Sequence, residues 1–157
     1  MALIERLMRT QAPAAVVLVR LLAGSVFFAE GIKKFLFAAK WGAGRFAEIG
    51  IPAPEIMGPF VGVVEIVCGF LLVIGLLTRP AAIALVINIC VAIWTTKVKL
   101  LEHQGFWEME DKARTDFSML LCLLFLLVVG AGLWSMDASL ARGKGGQSAR
   151  SGKGSSE

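Results

Sequence analysis

The sequence predicts an all-α membrane protein: a four-transmembrane-helix antiparallel bundle with a short interfacial element between helices 1 and 2. Two observations carry that prediction. Of the 157 residues 57% are apolar, and they gather into runs rather than recurring at an amphipathic period. A hydrocarbon core of about 30 Å needs about 20 predominantly apolar helical residues, and residues 13–32, 56–77, 80–98 and 117–135 approach that length. Residues 1–140 therefore read as one membrane domain. Residues 141–157, built of Gly, Ser, Lys and Arg with scarcely an apolar side chain, read as a disordered basic tail.

In the first stretch Arg6 and Arg9 precede an apolar run, as in a secretory signal. The run is longer than a typical signal core, Arg20 interrupts it, and no Ala-x-Ala pattern follows Phe28, so it reads as a retained helix. Pro13 suits a first helical turn, where its missing N–H does no harm. Between the first two stretches, Phe35, Phe37, Trp41 and Phe46 alternate with Lys40, Arg45 and Glu48, the pattern of a short helix or re-entrant element at the headgroup boundary. Pro52 and Pro54 end it, because residues before proline avoid the helical region. Thr78-Arg79-Pro80 reads as a tight break that makes the second and third spans an antiparallel hairpin. Residues 99–115 read as a charged loop carrying the single histidine, His103, and Trp107. Trp94 and Trp134 fall near span ends, as interfacial aromatics do.

Four spans place both termini on one side. The cations divide almost evenly between the two sides, but the basic tail and the short Arg79 turn would be awkward to translocate. The expectation is a protein integral to the plasma (inner) membrane with cytoplasmic termini.

Arg20 and Glu65 lie inside these apolar stretches, and an ionisable group there is a functional-site hypothesis by default. Arg20, Gly24, Phe27, Gly31 and Lys34 share one helical face, and Gly58, Gly62, Glu65 and Gly69 share another. Small residues at such spacing let helix backbones approach in lipid, so Arg20 and Glu65 are expected to meet in the bundle interior. A structural role, fixing helix register, and a ligand or proton site stand equal. At the far end of the first span, Glu30 and Lys34 are spaced for an i, i+4 pair with Lys33 beside them, a pattern common at span ends. Arg114 and Asp116 enter the fourth span on that side, either closing a polar pocket with Lys34 or forming an interfacial flank. Asn88 reads as an interhelical hydrogen-bonding group or a ligand contact. The candidate ligand or proton-relay residues are thus Arg20, Glu65, Lys34, Asn88, Arg114 and Asp116, with the catalytic residues, if any, undefined.

Cys68, Cys90 and Cys122 form no Cys-x-x-Cys pair and read as small hydrophobes. No metal and no covalently held cofactor is expected, and no phosphate-binding glycine loop or His-Glu-x-x-His motif supports nucleotide or zinc chemistry. The net charge of +4 suits anionic lipid better than nucleic acid.

Several polar residues occur in a fixed order across the helices. Arg20-Leu21-Leu22-Ala23-Gly24 is followed by Phe27-Phe28, Gly31-x-x-Lys34 and Gly50-Ile51-Pro52-x-Pro54. Next come Gly62-x-x-Glu65-x-x-x-Gly69-x-x-Leu72-x-x-Gly75-Leu76-x-Thr78-Arg79, and then Arg114-x-Asp116, Gly130-x-Gly132 and Ser135-x-Asp137. From residue 16 to about 140 this resembles the DoxX, or DoxD-like, family of small four-span membrane proteins. Family members include the small membrane subunit of an archaeal thiosulfate:quinone oxidoreductase, subunits of bacterial membrane oxidoreductase complexes, and assembly or trafficking factors in animals. The resemblance implies either a subunit or accessory of a quinone-linked oxidoreductase system, or a non-enzymatic assembly, partner-binding or lipid-binding protein. A small-solute transporter is a weaker third reading, since no inverted repeat is visible. In the first reading the chain is not a complete enzyme alone. It would bind quinone at a polar intramembrane site on helices 1 and 2, and its partners would be membrane lipid and another membrane or redox protein, or a second copy of itself.

Overall fold

A computed structural model of the chain describes residues 13–142. Among the described residues there is no strand; the chain is helical almost throughout. The helices are α1 (Val16–Leu36), α2 (Ala38–Trp41), α3 (Ala43–Glu48), α4 (Pro54–Ile74), α5 (Thr78–Ala92), α6 (Val98–Gln104) and α7 (Phe106–Val129), with a π-helical turn at Ile93–Lys97 joining α5 to α6. A last helical stretch covers 136–142. The tail from 143 onward lies outside the described residues.

Small residues decide how α1 and α4 meet. A Cβ on Gly31 would stand 2.7 Å from the Gly62 carbonyl oxygen, and one on Gly69 would stand 2.7 Å from the Phe28 backbone nitrogen. The expected glycine seam is therefore where the two backbones touch. α4 packs in turn on α5, α5 on α7, and α7 on α1. At the centre Ala23, Leu72, Ala82, Leu85, Leu123 and Leu126 are fully buried.

The outside is inverted relative to a protein in water. Leu18, Ile56 and Val128 are 68%, 69% and 78% exposed, while Arg20, Glu65 and Asp137 are buried. Contiguous exposed apolar surface on this scale fits lipid as solvent. Pro54–Ile74 and the continuous run Thr78–His103 are each long and apolar enough to cross a bilayer. α1 and α7 fall short of that measure because Arg20, Glu30, Lys33 and Lys34 interrupt the one and Lys112, Arg114 and Asp116 the other.

Three boundaries differ from the sequence expectation. The break between the second and third spans lies at Gly75 to Leu77, before Thr78-Arg79-Pro80, which forms the first turn of α5. Gly75 adopts φ +71° as a left-handed cap, its N–H bonding the Leu72 carbonyl and the Leu76 N–H bonding that of Leu71, the two crossed bonds that close a Schellman turn. The expected loop at 99–115 is instead α6 and the first turns of α7, with Gly105 at φ +86° as the only interruption. Pairs such as Glu108–Lys112 at i, i+4 support helix there. The fourth span was expected to continue to residue 135, but Gly130 and Gly132 take φ of +87° and +80°, and the chain turns back toward the N-terminal end of α1. A Cβ on Gly132 would stand 2.9 Å from Val16 Cβ, so the turn requires glycine.

Candidate functional site

The buried polar groups fall into two layers. In the first, Arg20 does not meet Glu65, contrary to the sequence expectation. Its Nε donates to the Leu72 carbonyl at 3.0 Å, Nη2 to that of Val73 at 3.0 Å, and Nη1 to those of Ala131 and Trp134 at 2.8 and 2.7 Å. The guanidinium thus covers carbonyls where α4 ends and ties them to the turn after α7. A cation at a helix C-terminus also meets the negative end of the helix dipole. Asp137 completes this layer: its carboxylate accepts from the Leu77 and Thr78 N–H groups at 2.8 and 3.1 Å, and its own N–H donates to the Gly75 carbonyl at 3.0 Å. An anion therefore caps the start of α5 from a different part of the chain. Arg79 likewise donates to the Leu127 and Val128 carbonyls at the end of α7.

The second layer lies seven residues from Leu72 toward the start of α4, about 10 Å of helix rise. Glu65 Oε2 accepts from Lys34 Nζ at 2.5 Å, and Oε1 from Asn88 Nδ2 at 2.7 Å. Three helices converge here, since Lys34 is on α1, Glu65 on α4 and Asn88 on α5. Glu65 is 5% exposed, so both carboxylate oxygens are paired out of reach of bulk solvent, as a buried charge requires. Lys34 consequently does not pair with Glu30 at i, i+4. Glu30 holds Lys33 instead.

These three residues border a cavity of about 470 Å³. Its apolar lining includes Val26, Phe27, Val61, Ile89 and Met119, and Trp41, Arg45 and Phe46 of α2 and α3 line it as well. The π-helical turn supplies Thr95, Thr96 and Lys97. Both threonine hydroxyls bond back to the Ala92 carbonyl, while Lys97 pairs with Asp116 at 3.1 Å and donates to the Lys112 carbonyl at 2.6 Å. One extra residue in a helical turn redirects the side chains that follow it, and such turns concentrate at functional sites.

The structure thus brings Glu65, Lys34, Asn88 and Asp116 to one cavity and leaves two candidates outside it. Arg20 belongs to the carbonyl-capping layer, and Arg114 is exposed and paired with Asp111. Sequence reading missed Lys97, Thr95 and Thr96, whose placement depends on the π-helical turn. It placed Trp41 and Arg45 at the membrane boundary without assigning them to a site. No periodicity marks them in the sequence, because Trp41 ends α2 and Arg45 lies in α3, with the non-helical Gly42 between them. Among the described residues no group of three or more His, Cys, Asp or Glu is arranged to hold a metal, and the three cysteines are free.

The DoxX family model matches residues 15–98. An uncharacterized membrane protein of Mycobacterium tuberculosis is 48% identical over 143 residues, covering 87% of this chain and 88% of that protein. CatD of Bacillus subtilis, provisionally named an oxidoreductase, is 27% identical over 127 residues, covering 81% of this chain and 87% of its own. No solved structure is significantly similar. The chain belongs to the DoxX family of membrane proteins.

Proposed function

We propose that this DoxX-family membrane protein is a subunit of, or accessory to, a quinone-linked oxidoreductase system in the plasma (inner) membrane, and that the cavity beside Lys34, Glu65 and Asn88 holds the quinone head group. In this reading α1, α4, α5 and α7 all span the bilayer as an antiparallel bundle, with both termini cytoplasmic. The observation that carries the reading is a paired carboxylate and ammonium, buried between three helices, at the edge of an apolar-walled cavity. Apolar walls hold a tail but do not orient a head group, and a few convergent polar groups do. Lys34 Nζ and Asn88 Nδ2 are donors suited to a carbonyl oxygen, and Glu65 can exchange a proton with what they hold. A bound quinone supplies the electron-accepting chemistry, and a partner redox protein supplies the electrons. The name of the Bacillus relative agrees with this class.

A second reading is a non-enzymatic assembly or lipid-binding protein. Its support is that Glu30, Glu65 and Asp116 each already have a lysine partner, an arrangement that also fixes helix register.

The deciding experiment is titration of a short-tailed quinone analogue into the purified protein in nanodiscs. Saturable binding that is lost in Glu65→Gln and Asn88→Ala, with helicity and a cooperative unfolding transition retained, is expected. No saturable binding to the unaltered protein, together with variants that unfold, would overturn the quinone reading in favour of the second.

A further inference from the structure

The cavity's unbalanced charge is not at Lys34 and Glu65. Each acidic residue lining it is matched by a lysine: Glu30 by Lys33, Glu65 by Lys34 and Asp116 by Lys97. Arg45 also lines the cavity, and neither it nor the adjacent Lys40 has an ion-pair partner among the described residues. Both stand over the indole of Trp41, with Arg45 Cζ at 5.8 Å and Lys40 Nζ at 5.4 Å from the ring centre, and Lys33 Nζ joins them at 5.9 Å.

An indole attracts a cation to its face, but three cations at one ring repel one another. Glu30 offsets Lys33 alone, so two positive charges remain. Arg45 is on the lining of a cavity that Val26, Phe27, Val61 and Ile89 also line, and Lys40 shares the Trp41 ring with it. The exposed aromatic and aliphatic residues of this segment, Phe35, Leu36 and Phe37, point to lipid around it.

We propose that the edge of the cavity binds an amphiphilic phosphate anion, with the phosphate between Lys40, Trp41 and Arg45 and the apolar chain running along the Val26–Phe27 wall. An anionic phospholipid supplies this chemistry in a membrane. The inference rests on the charge at Trp41 and not on the quinone reading, and its residues are not those assigned to the head group there.

The test uses the full chain in nanodiscs containing phosphatidylcholine and phosphatidylglycerol, with native mass spectrometry of the lipids retained on release from the disc. Phosphatidylglycerol is expected to be retained over phosphatidylcholine by roughly twenty-fivefold, about fivefold for each of the two uncompensated basic groups. Lys40→Gln/Arg45→Gln should abolish the preference and Arg45→Gln alone should reduce it. Arg114→Gln, which removes a charge outside the cavity, should leave it intact. A preference that survives in a folded Arg45→Gln protein, or equal retention of both lipids by the unaltered chain, overturns the proposal. So does inorganic phosphate displacing the retained lipid at millimolar concentration while stabilising the protein equally in phosphatidylcholine alone, since the ligand would then be a free anion.

Discussion

Arg20 donates to four carbonyl oxygens on two segments of chain; if the guanidinium is removed, the Leu72 carbonyl keeps the Gly75 N–H and the other three acceptors lose the donor that Arg20 supplies. A buried polar group left unpaired costs about 1–3 kcal/mol, so Arg20→Leu should cost at least about 3 kcal/mol of stability even if the turn at Gly130 to Trp134 partly relaxes. Glu65→Gln keeps an oxygen for Asn88 and leaves Lys34, 13% exposed, free to rotate toward the cavity. Its loss should be less than half as large, read as unfolding midpoints in a mild detergent. Equal losses would mean that Arg20 is not the fastener described here. The importance of both positions was legible in the sequence, because an ionisable residue in an apolar run stands out. Their pairing was not, since Arg20's partners are backbone carbonyls freed by the cap at Gly75 and the turn at Gly130, and main-chain acceptors leave no side-chain signature. Glu65's true partner was in view at the far end of α1, but the i, i+4 spacing to Glu30 offered Lys34 a local alternative.

Among the elements, the pairing of α1 with α4 was the most legible feature, because glycines at steps of three and four have few uses in an apolar helix except close approach. Gly31→Ala and Gly69→Ala place a methyl within 2.7 Å of opposing backbone, and overpacking of that kind costs typically 1–3 kcal/mol. Both should lower the unfolding temperature and, because Gly31 lies one turn before Lys34, Gly31→Ala should also weaken any ligand held in the cavity. Ser25→Ala, on an exposed part of α1, should change neither. A Gly31→Ala protein as stable as the original would show that the seam can slide. The ends of elements were less legible for a physical reason. A charged stretch such as 106–115 reads as loop when hydropathy is the signal, yet i, i+4 pairs extend the helix beyond its apolar run. Conversely the apolar residues after Val129 read as span, yet two glycines at positive φ end the helix there.

At the scale of the whole molecule, the two polar layers sit toward opposite ends of the helices. The capping layer of Arg20, Asp137 and Arg79 adjoins the short turn at Gly75 to Leu77, and the cavity adjoins α2, α3 and the start of α7. If all four long helices cross the bilayer, the capping layer and both termini share one face, while α3 and α6 share the other. Single-cysteine labelling tests this once the native thiols are removed. Replacing Cys68, Cys90 and Cys122 together by alanine should leave the fold intact, because none has a disulfide or metal partner among the described residues; Cys68 and Cys122 are partly buried small hydrophobes and Cys90 is exposed. In that background Glu48→Cys and Glu102→Cys should react with a membrane-impermeant maleimide added to intact cells stripped of their outer envelope. Ser151→Cys in the basic tail should react only after the membrane is opened. Labelling of Ser151→Cys from outside, with Glu48→Cys and Glu102→Cys protected, would invert the orientation but keep four spans. Labelling of Ser151→Cys and Glu48→Cys from the same side would remove one of the three crossings between them, by α4, α5 or α7, and with it the four-span bundle.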